Sequence, residues 1–178
     1  MISFKEYLTE SRSAPLYHTT SFRNLNKILA SGLNGETFQT IFKGMKTASW
    51  GRYGISTSRS LKKSIDYFLN NMTNAHKYVV FVLDQQKIAQ NYKIVPVDYF
   101  TTRDLTQGNP LDTRRIEDEE FIVLNYSTDG HYGFLPSSYI KQVLYLKTPS
   151  ILVKEEYQRE IEQAKKKFPR ISFVEIDR

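Results

Sequence analysis

The sequence predicts an α+β fold in a single domain. Stretches rich in β-branched and aromatic residues, which favour strands, are interspersed along the 178 residues with stretches whose apolar residues recur at helical spacing. No internal repeat, low-complexity tract or linker separates them. The length suits one domain with a sizeable core. We therefore predict one domain over residues 14–178, preceded by a short N-terminal segment, residues 1–13.

The composition narrows the chemistry that is open to the chain. It contains no cysteine, which excludes a disulfide framework, a thiol nucleophile and a thiolate metal site. The three histidines, His18, His76 and His131, are far apart in the sequence, so we predict no metal centre. No apolar run approaches the ~18 residues that a membrane span needs. The net charge of +6 favours an anionic partner, which is a nucleic acid, a nucleotide or an acidic protein.

The first half of the chain begins with an amphipathic segment, residues 1–13, in which Phe4, Tyr7 and Leu8 fall at helical spacing. Residues 16–20, LYHTT, are predicted to form a strand. Ser21 is expected to cap the helix that follows, and Gly32 to end it. Residues 34–53 are predicted to form a long loop.

A second strand is predicted over residues 54–60, GISTSRS, followed by a helix over Leu61–Asn71 with Ser60 as its N-cap. Residues 77–84, KYVVFVLD, are almost continuously apolar, which is typical of a central strand. Residues 94–99 are predicted to form another short strand. Further predictions are a polar loop over residues 101–113, a strand over residues 139–146, a charged helix over residues 152–168 and a last strand over residues 171–176.

An acidic run, Glu117 to Glu120, leads directly into the apolar residues 121–124. Side chains alternate along a strand, so Asp118, Glu120 and Ile122 are predicted to share one face. A carboxylate at the start of a buried strand is partly desolvated and rigidly held. Such a group is suited to stabilising a positive charge that develops in a transition state. The alternative is a solvated acidic loop that precedes a core strand and has no chemical role.

Three stretches, in this order, resemble the ADP-ribosyltransferase superfamily. LYHTT with NLNKILASGL is similar to the opening strand and helix of its histidine-bearing branch and of the DarT-type DNA ADP-ribosyltransferases. GISTSRSLKKSIDY resembles the small-residue strand that precedes a Ser-x-x-Tyr helix, and EEFIV resembles the catalytic strand. The resemblance implies two packed, antiparallel-rich β-sheets around an NAD cleft, with flanking helices.

The resemblance also implies the roles of individual residues. Glu120 would be catalytic and Asp118 would orient the acceptor, although Glu119 remains an alternative catalytic residue because the acidic run differs from the family pattern. His18 would contact a ribose of NAD, and Tyr67 would stack on nicotinamide. The other implied NAD-binding residues are Thr19, Gly54, Ser56, Thr57 and Ser58. The first strand carries no arginine, so the candidates for the NAD phosphates are Arg23, Arg52 and Arg59.

The implied activity is transfer of ADP-ribose from NAD to a macromolecular acceptor, which is nucleic acid or a host protein such as the transcription machinery. The loop over residues 101–115 would select the acceptor. We expect a monomer without membrane contact.

The segment of residues 1–13 resembles the capsid-targeting peptides of large tailed phages. Leu8-Thr9-Glu10 matches the site that the prohead protease cuts, so cleavage is expected after Glu10. This resemblance implies a location in the virion interior and then in the host cytoplasm. Without it, the cytoplasm is expected.

A second hypothesis is a non-catalytic basic binding protein, either an internal head protein or an inhibitor of a host factor. The surroundings of Glu120 separate the two. A Glu120 that is buried and faces His18 and Ser56 favours the enzyme, whereas an ion pair with a surface lysine favours the binding protein.

Overall fold

A computed structural model of the chain describes residues 14–37, 53–71, 77–96, 119–124, 133–147 and 154–177. The predicted N-terminal segment, most of the loop over residues 34–53, the loop over residues 101–113 and Asp118 lie outside the described residues. The strands in the described part are β1 (Leu16–Ser21), β2 (Leu33–Asn34), β3 (Glu36–Thr37), β4 (Tyr53–Ser58), β5 (Tyr78–Leu83), β6 (Lys93–Pro96), β7 (Glu119–Val123), β8 (Phe134–Leu135), β9 (Ile140–Leu146) and β10 (Ser172–Ile176). The α-helices there are α1 (Leu25–Ser31), α2 (Leu61–Asn71), α3 (Gln85–Asn91) and α4 (Lys154–Lys167).

The strands form one large sheet and one small sheet. The large sheet has eight strands in the order β10-β9-β5-β1-β4-β7-β6, with β3 beside β4. Its strands pair antiparallel except β9 and β10, which are parallel and are joined by α4. β2 and β8 form the separate two-stranded sheet. The α+β fold class is therefore confirmed, and the second of the two predicted sheets is much the smaller.

The centre of the large sheet is the strand predicted to be central. All six residues of β5 are buried, and β5 lies between β1 and β9. Its neighbours are both antiparallel, so the continuous apolar run reflects burial of both faces and not a parallel sheet. The position of β5 beside β1 fixes the strand that carries His18 against the core.

The helix boundaries follow local signals that are mostly readable in the sequence. α2 has the predicted bounds, and Ser60 Oγ accepts a hydrogen bond from Lys63 N at 3.3 Å, as an N-cap does. The prediction that Ser21 caps the next helix was wrong. Ser21 is the last residue of β1, and a 3₁₀ turn (Phe22–Asn24) without a side-chain cap precedes α1. Gly32 ends α1 with φ of 87°, a conformation that favours glycine.

α3 was missed because its sequence, QQKIAQN, has no apolar stripe to reveal it. Its start is defined by Asp84, whose side chain accepts a hydrogen bond from Lys87 N at 3.0 Å. Tertiary contacts supply the rest, since Ile88 is completely buried. None of the described helices is long and apolar enough to cross a membrane.

Tyr157 attaches α4 to the large sheet. Its hydroxyl accepts a hydrogen bond from Leu146 N at 2.9 Å and donates one to Tyr78 O at 3.0 Å. Burial raises the pKa of Tyr157, so the hydroxyl keeps its proton and remains a donor. The contact joins β9, β5 and α4 at a place remote in sequence from Glu120.

Gly54 on β4 is required by the packing of β4 against β7. A Cβ at this position would lie 1.9 Å from Cε1 of Phe121 and 2.8 Å from the carbonyl oxygen of Ile122. Phe121 is itself buried, so its ring has little room to move away. The glycine is thus explained by packing, whatever its part in ligand binding.

We predict that Gly54→Ala lowers the free energy of unfolding by about 3 kcal/mol, the upper range for overpacking a filled core. Gly133→Ala is the matched control, because φ is 76° there but no atom of the described residues lies within 4 Å of the added Cβ. Gly133→Ala should lower the free energy of unfolding by only about 1 kcal/mol, the cost of placing a residue with a Cβ in a left-handed backbone conformation. Urea unfolding measures both. Equal losses for the two variants would contradict the packing role of Gly54.

Candidate active site

Glu120 is a buried carboxylate at the start of β7. It is 5% exposed, although it follows directly on an acidic run. The register pairs Glu120 with Thr57 of β4 and Ile122 with Ile55. Glu120 and Ile122 therefore share one face, as the alternation predicts. The alternative, that Glu120 belongs to a solvated acidic loop, is therefore wrong for this residue.

His18 lies on the same face of the sheet as Glu120. Tyr17 of β1 is opposite Ser58 of β4, so His18 comes opposite Thr57, which in turn is opposite Glu120. Residues directly opposite each other in an antiparallel pair project from the same face. His18 Nδ1 lies 2.9 Å from the carbonyl oxygen of Ser56. Because a carbonyl oxygen only accepts, Nδ1 carries the proton in this hydrogen bond.

Ser56 and Ser58 alternate with Thr57 along β4, which places them on the other face. Ser56 is exposed, and it contacts His18 through its backbone carbonyl. Ser58 is buried, and its Oγ accepts a hydrogen bond from Ser60 N at 3.1 Å. Glu120 and His18 thus share a face of the sheet, with β4 between their strands, whereas Ser56 contacts His18 through its main chain.

Glu120 forms an ion pair with Arg59, the residue that directly follows β4. The distance from Arg59 Nε to Glu120 Oε1 is 2.6 Å, and the two side chains are 29% and 7% exposed. A buried carboxylate needs a charged or hydrogen-bonding partner, and a guanidinium supplies both. The partner is therefore a partly buried arginine and not the surface lysine that would have favoured a binding protein.

Thr57 supports the backbone of Glu120. It is 4% exposed, and its Oγ1 donates a hydrogen bond to the carbonyl oxygen of Glu120 at 2.7 Å. Because both the hydroxyl and the methyl group are buried, the contacts of Thr57 are with the protein. The arrangement holds Glu120 from two positions of one segment, Thr57 at the main chain and Arg59 at the carboxylate.

α2 packs against the face of β1 that carries Thr19. Thr19 Oγ1 and Ser64 Oγ are 2.7 Å apart, and Ser64 Oγ also lies 3.5 Å from the carbonyl oxygen of Tyr17. Ser64 was not among the predicted site residues, although the Ser-x-x-Tyr pattern contains it. Tyr67 follows Ser64 by one helical turn and is half-buried. The role of Tyr67 stays a prediction.

The three candidate arginines for the NAD phosphates differ in their position. Arg59 contacts Glu120, whereas Arg23 is exposed in the turn that follows the opposite end of β1. Arg52 lies outside the described residues. Within the described ranges there is no group of three or more histidine, aspartate or glutamate side chains that could hold a metal ion.

Comparisons with known proteins find matches by structure but not by sequence. No protein-family model matches the chain, and no curated protein matches it. Solved structures do match. Thermus sp. 2.9 DarT in complex with NAD+ superposes with a TM-score of 0.56 at 13% identity, covering 92% of this chain and 96% of that chain. The chain has the fold of the DarT proteins.

Two further structures extend this likeness. Thermus sp. 2.9 DarT in complex with ADP-ribosylated ssDNA gives a TM-score of 0.58 at 13% identity, over 92% of this chain and 94% of that chain. Thermosipho africanus DarTG in complex with ADP-ribose gives 0.55 at 11% identity, over 90% of this chain but only 49% of that chain. The chain thus spans about half the length of that DarTG. At these identities the comparison shows the fold.

We predict that the Arg59–Glu120 pair couples by about 1–3 kcal/mol in a double-mutant cycle, between the values for exposed and fully buried pairs. Urea unfolding of Arg59→Met, Glu120→Gln and the double variant gives this coupling. The exposed Lys62–Asp66 pair on α2 is the control, with an expected coupling of about 0.3–0.5 kcal/mol. A coupling at Arg59–Glu120 no larger than that of the control would show that the pair is merely a surface contact.

Proposed function

We propose that the chain is an NAD-dependent ADP-ribosyltransferase in which Glu120 is the catalytic residue. The observation that carries the proposal is the buried Glu120 carboxylate, which shares a sheet face with His18 and is held by Arg59 and Thr57. The fold supports it, because the DarT structures that this chain resembles contain NAD+ or ADP-ribosylated ssDNA.

The chemistry fits a fixed, buried carboxylate. NAD supplies the ADP-ribosyl group and carries nicotinamide as its leaving group. When nicotinamide leaves, positive charge develops on the ribose, and a carboxylate held in place stabilises that charge more in the transition state than in the ground state. A single preorganised contact of this kind lowers the activation free energy by roughly 3–4 kcal/mol.

The charge of Arg59 gives the same site an affinity for anions. A guanidinium binds phosphate groups through two parallel hydrogen bonds, so Arg59 is our candidate for the NAD phosphates in preference to Arg23. In the free protein Arg59 uses Nε for Glu120.

The remaining residues divide into proposed contacts and proposed supports. We assign His18, Thr19, Ser56 and Tyr67 to contacts with NAD, and Asp118 to orientation of the acceptor. Gly54, Thr57 and Ser58 act through packing and hydrogen bonds within the protein. Glu120 is preferred to Glu119 as the catalytic residue because Glu120 lies opposite Thr57 and on the same face of the sheet as His18.

The acceptor that we propose is single-stranded nucleic acid. The chain carries a net charge of +6, which favours a polyanion over a neutral protein surface. One DarT structure with this fold contains ADP-ribosylated ssDNA. A host protein, such as a component of the transcription machinery, is the competing acceptor, and the same assay distinguishes the two.

We predict that the wild-type protein transfers label from NAD to a mixed-sequence DNA or RNA oligonucleotide, and that Glu120→Gln lowers the rate by about 10²–10³-fold. Glu162→Gln is the matched control, because Glu162 is an exposed glutamate paired with Lys165 on α4. It should retain full activity. The assay is run with oligonucleotide alone and with host lysate.

Each outcome of this assay has one meaning. Label on oligonucleotide supports a nucleic-acid acceptor, and label only on lysate protein supports a protein acceptor. Free ADP-ribose without labelled macromolecule means hydrolysis of NAD. If wild-type protein consumes no NAD in either mixture, the enzyme proposal fails and a basic binding protein remains.

We further propose that residues 1–10 direct packaging into a phage head and are removed there. The proposal rests on Leu8-Thr9-Glu10 alone. Protein recovered from virions is predicted to begin at Ser11, which the mass of the intact chain tests, whereas chain made without the prohead protease begins at the original N-terminus. An uncut chain in virions, or no chain there, would contradict the proposal.

A further inference from the structure

We propose that Thr57 is a positioning residue whose hydroxyl fixes Glu120 in the geometry that Arg59 requires. The sequence resemblance suggests that this small-residue strand serves NAD. In the structure Thr57 is 4% exposed, and its Oγ1 donates to the carbonyl oxygen of Glu120 at 2.7 Å. The kinetic part of this inference rests on the proposed function, but the structural part does not.

The hydroxyl of Thr57 acts on a residue that is paired with a strand on each side. Glu120 lies between Thr57 on β4 and Pro96 on β6 in the strand register. Proline has no backbone N–H, so Pro96 has no donor to offer Glu120 from that side. β6 is also the last strand of the large sheet among the described residues. Thr57 on β4 supplies a hydroxyl donor to the Glu120 carbonyl, whereas Pro96 on β6 supplies no backbone donor.

Thr57 and Arg59 contact different parts of Glu120, its main chain and its side chain. Thr57 binds the main-chain carbonyl of Glu120, and Arg59 binds its carboxylate at 2.6 Å. The turn between β4 and α2 is fixed by two serines, since Ser58 Oγ accepts from Ser60 N and Ser60 Oγ accepts from Lys63 N. These two hydrogen bonds constrain the backbone on either side of Arg59, and the Glu120 carboxylate binds its side chain.

Loss of the hydroxyl should therefore loosen the Arg59–Glu120 pair without unfolding the site. Thr57→Val keeps the shape and removes the donor, whereas Thr57→Ser keeps the donor and removes a methyl group. A displacement of about 1 Å at a catalytic group is enough to lower a rate substantially, even when substrate affinity is unchanged.

The first arm of the test uses urea unfolding and needs no NAD. The coupling between Arg59→Met and Glu120→Gln is measured in the wild-type, Thr57→Val and Thr57→Ser backgrounds. We expect the coupling to fall to about half or less in the Thr57→Val background and to be retained with Thr57→Ser, since contacting residues of one network are energetically coupled. Equal coupling in the Thr57→Val and wild-type backgrounds would overturn the proposal.

The second arm measures NAD consumption. Thr57→Val should lower kcat by about tenfold and change the KM for NAD by less than about twofold, the pattern for loss of transition-state stabilisation alone. Thr57→Ser should restore most of kcat. A rise in KM with unchanged kcat would instead assign Thr57 to NAD binding and overturn the positioning role.

Tyr157→Phe is the control for general destabilisation. It removes buried hydrogen bonds to Leu146 and Tyr78, far from Glu120, and should lower stability while leaving both the coupling and kcat as in the wild type. A fall in kcat with Tyr157→Phe equal to that with Thr57→Val would also overturn the proposal. If wild-type protein consumes no NAD, the proposed function fails and the unfolding arm alone decides the role of Thr57.

Discussion

The antiparallel pairing of β4 with β7 is the interaction on which the candidate site depends. It sets Thr57 opposite Glu120, and the same two strands bring Arg59 to the carboxylate. A shift of one residue in this register would move Glu120 to the other face of the sheet and exchange it with Glu119 or Phe121. The packing of Phe121 against Gly54 resists such a shift, since only a glycine leaves space for the ring.

The burial of Glu120 carries an energetic cost that the surrounding residues offset. A carboxylate removed from water needs a cation and hydrogen bonds in compensation. Arg59 is suited to this because its guanidinium is a cation with several hydrogen-bond donors and is only partly exposed. A hydrophobic residue in place of Glu120 would often be as stable. Stability alone therefore does not explain why an ion pair is buried at the end of this strand.

The structural likeness to the DarT proteins survives at 11–13% identity because few features of the sequence are needed to maintain it. Formation of the strands and burial of β5 depend on alternation and apolar character, which many residue types provide. The site depends on particular side chains at particular register positions. Similarity of fold thus extends over nearly the whole chain, whereas the case for activity rests on a small group of residues.

Local patterns in the sequence were sufficient for most of the longer elements of the fold. The apolar run of β5, the capped helix α2 and the charged helix α4 all follow from periodicity and capping, which act within a few residues. α3 was not predicted because its short, polar sequence is stabilised as a helix by the Asp84 cap and by the burial of Ile88. Ser21 was misassigned as a cap because strand pairing with Tyr78 extends β1 through it.

The sequence by itself made Glu120 and His18 candidates. Glu120 stands out because a carboxylate abuts an apolar strand, and His18 stands out through the resemblance to the ADP-ribosyltransferases. Only the tertiary structure decided what these residues contact. Arg59 is 61 positions from Glu120, and Thr57 is 63 positions away. Their contacts depend on a strand register that no local pattern encodes. Pairing between distant strands is set by the packing of the whole sheet, so the partners of a buried charge are known only once that sheet is formed.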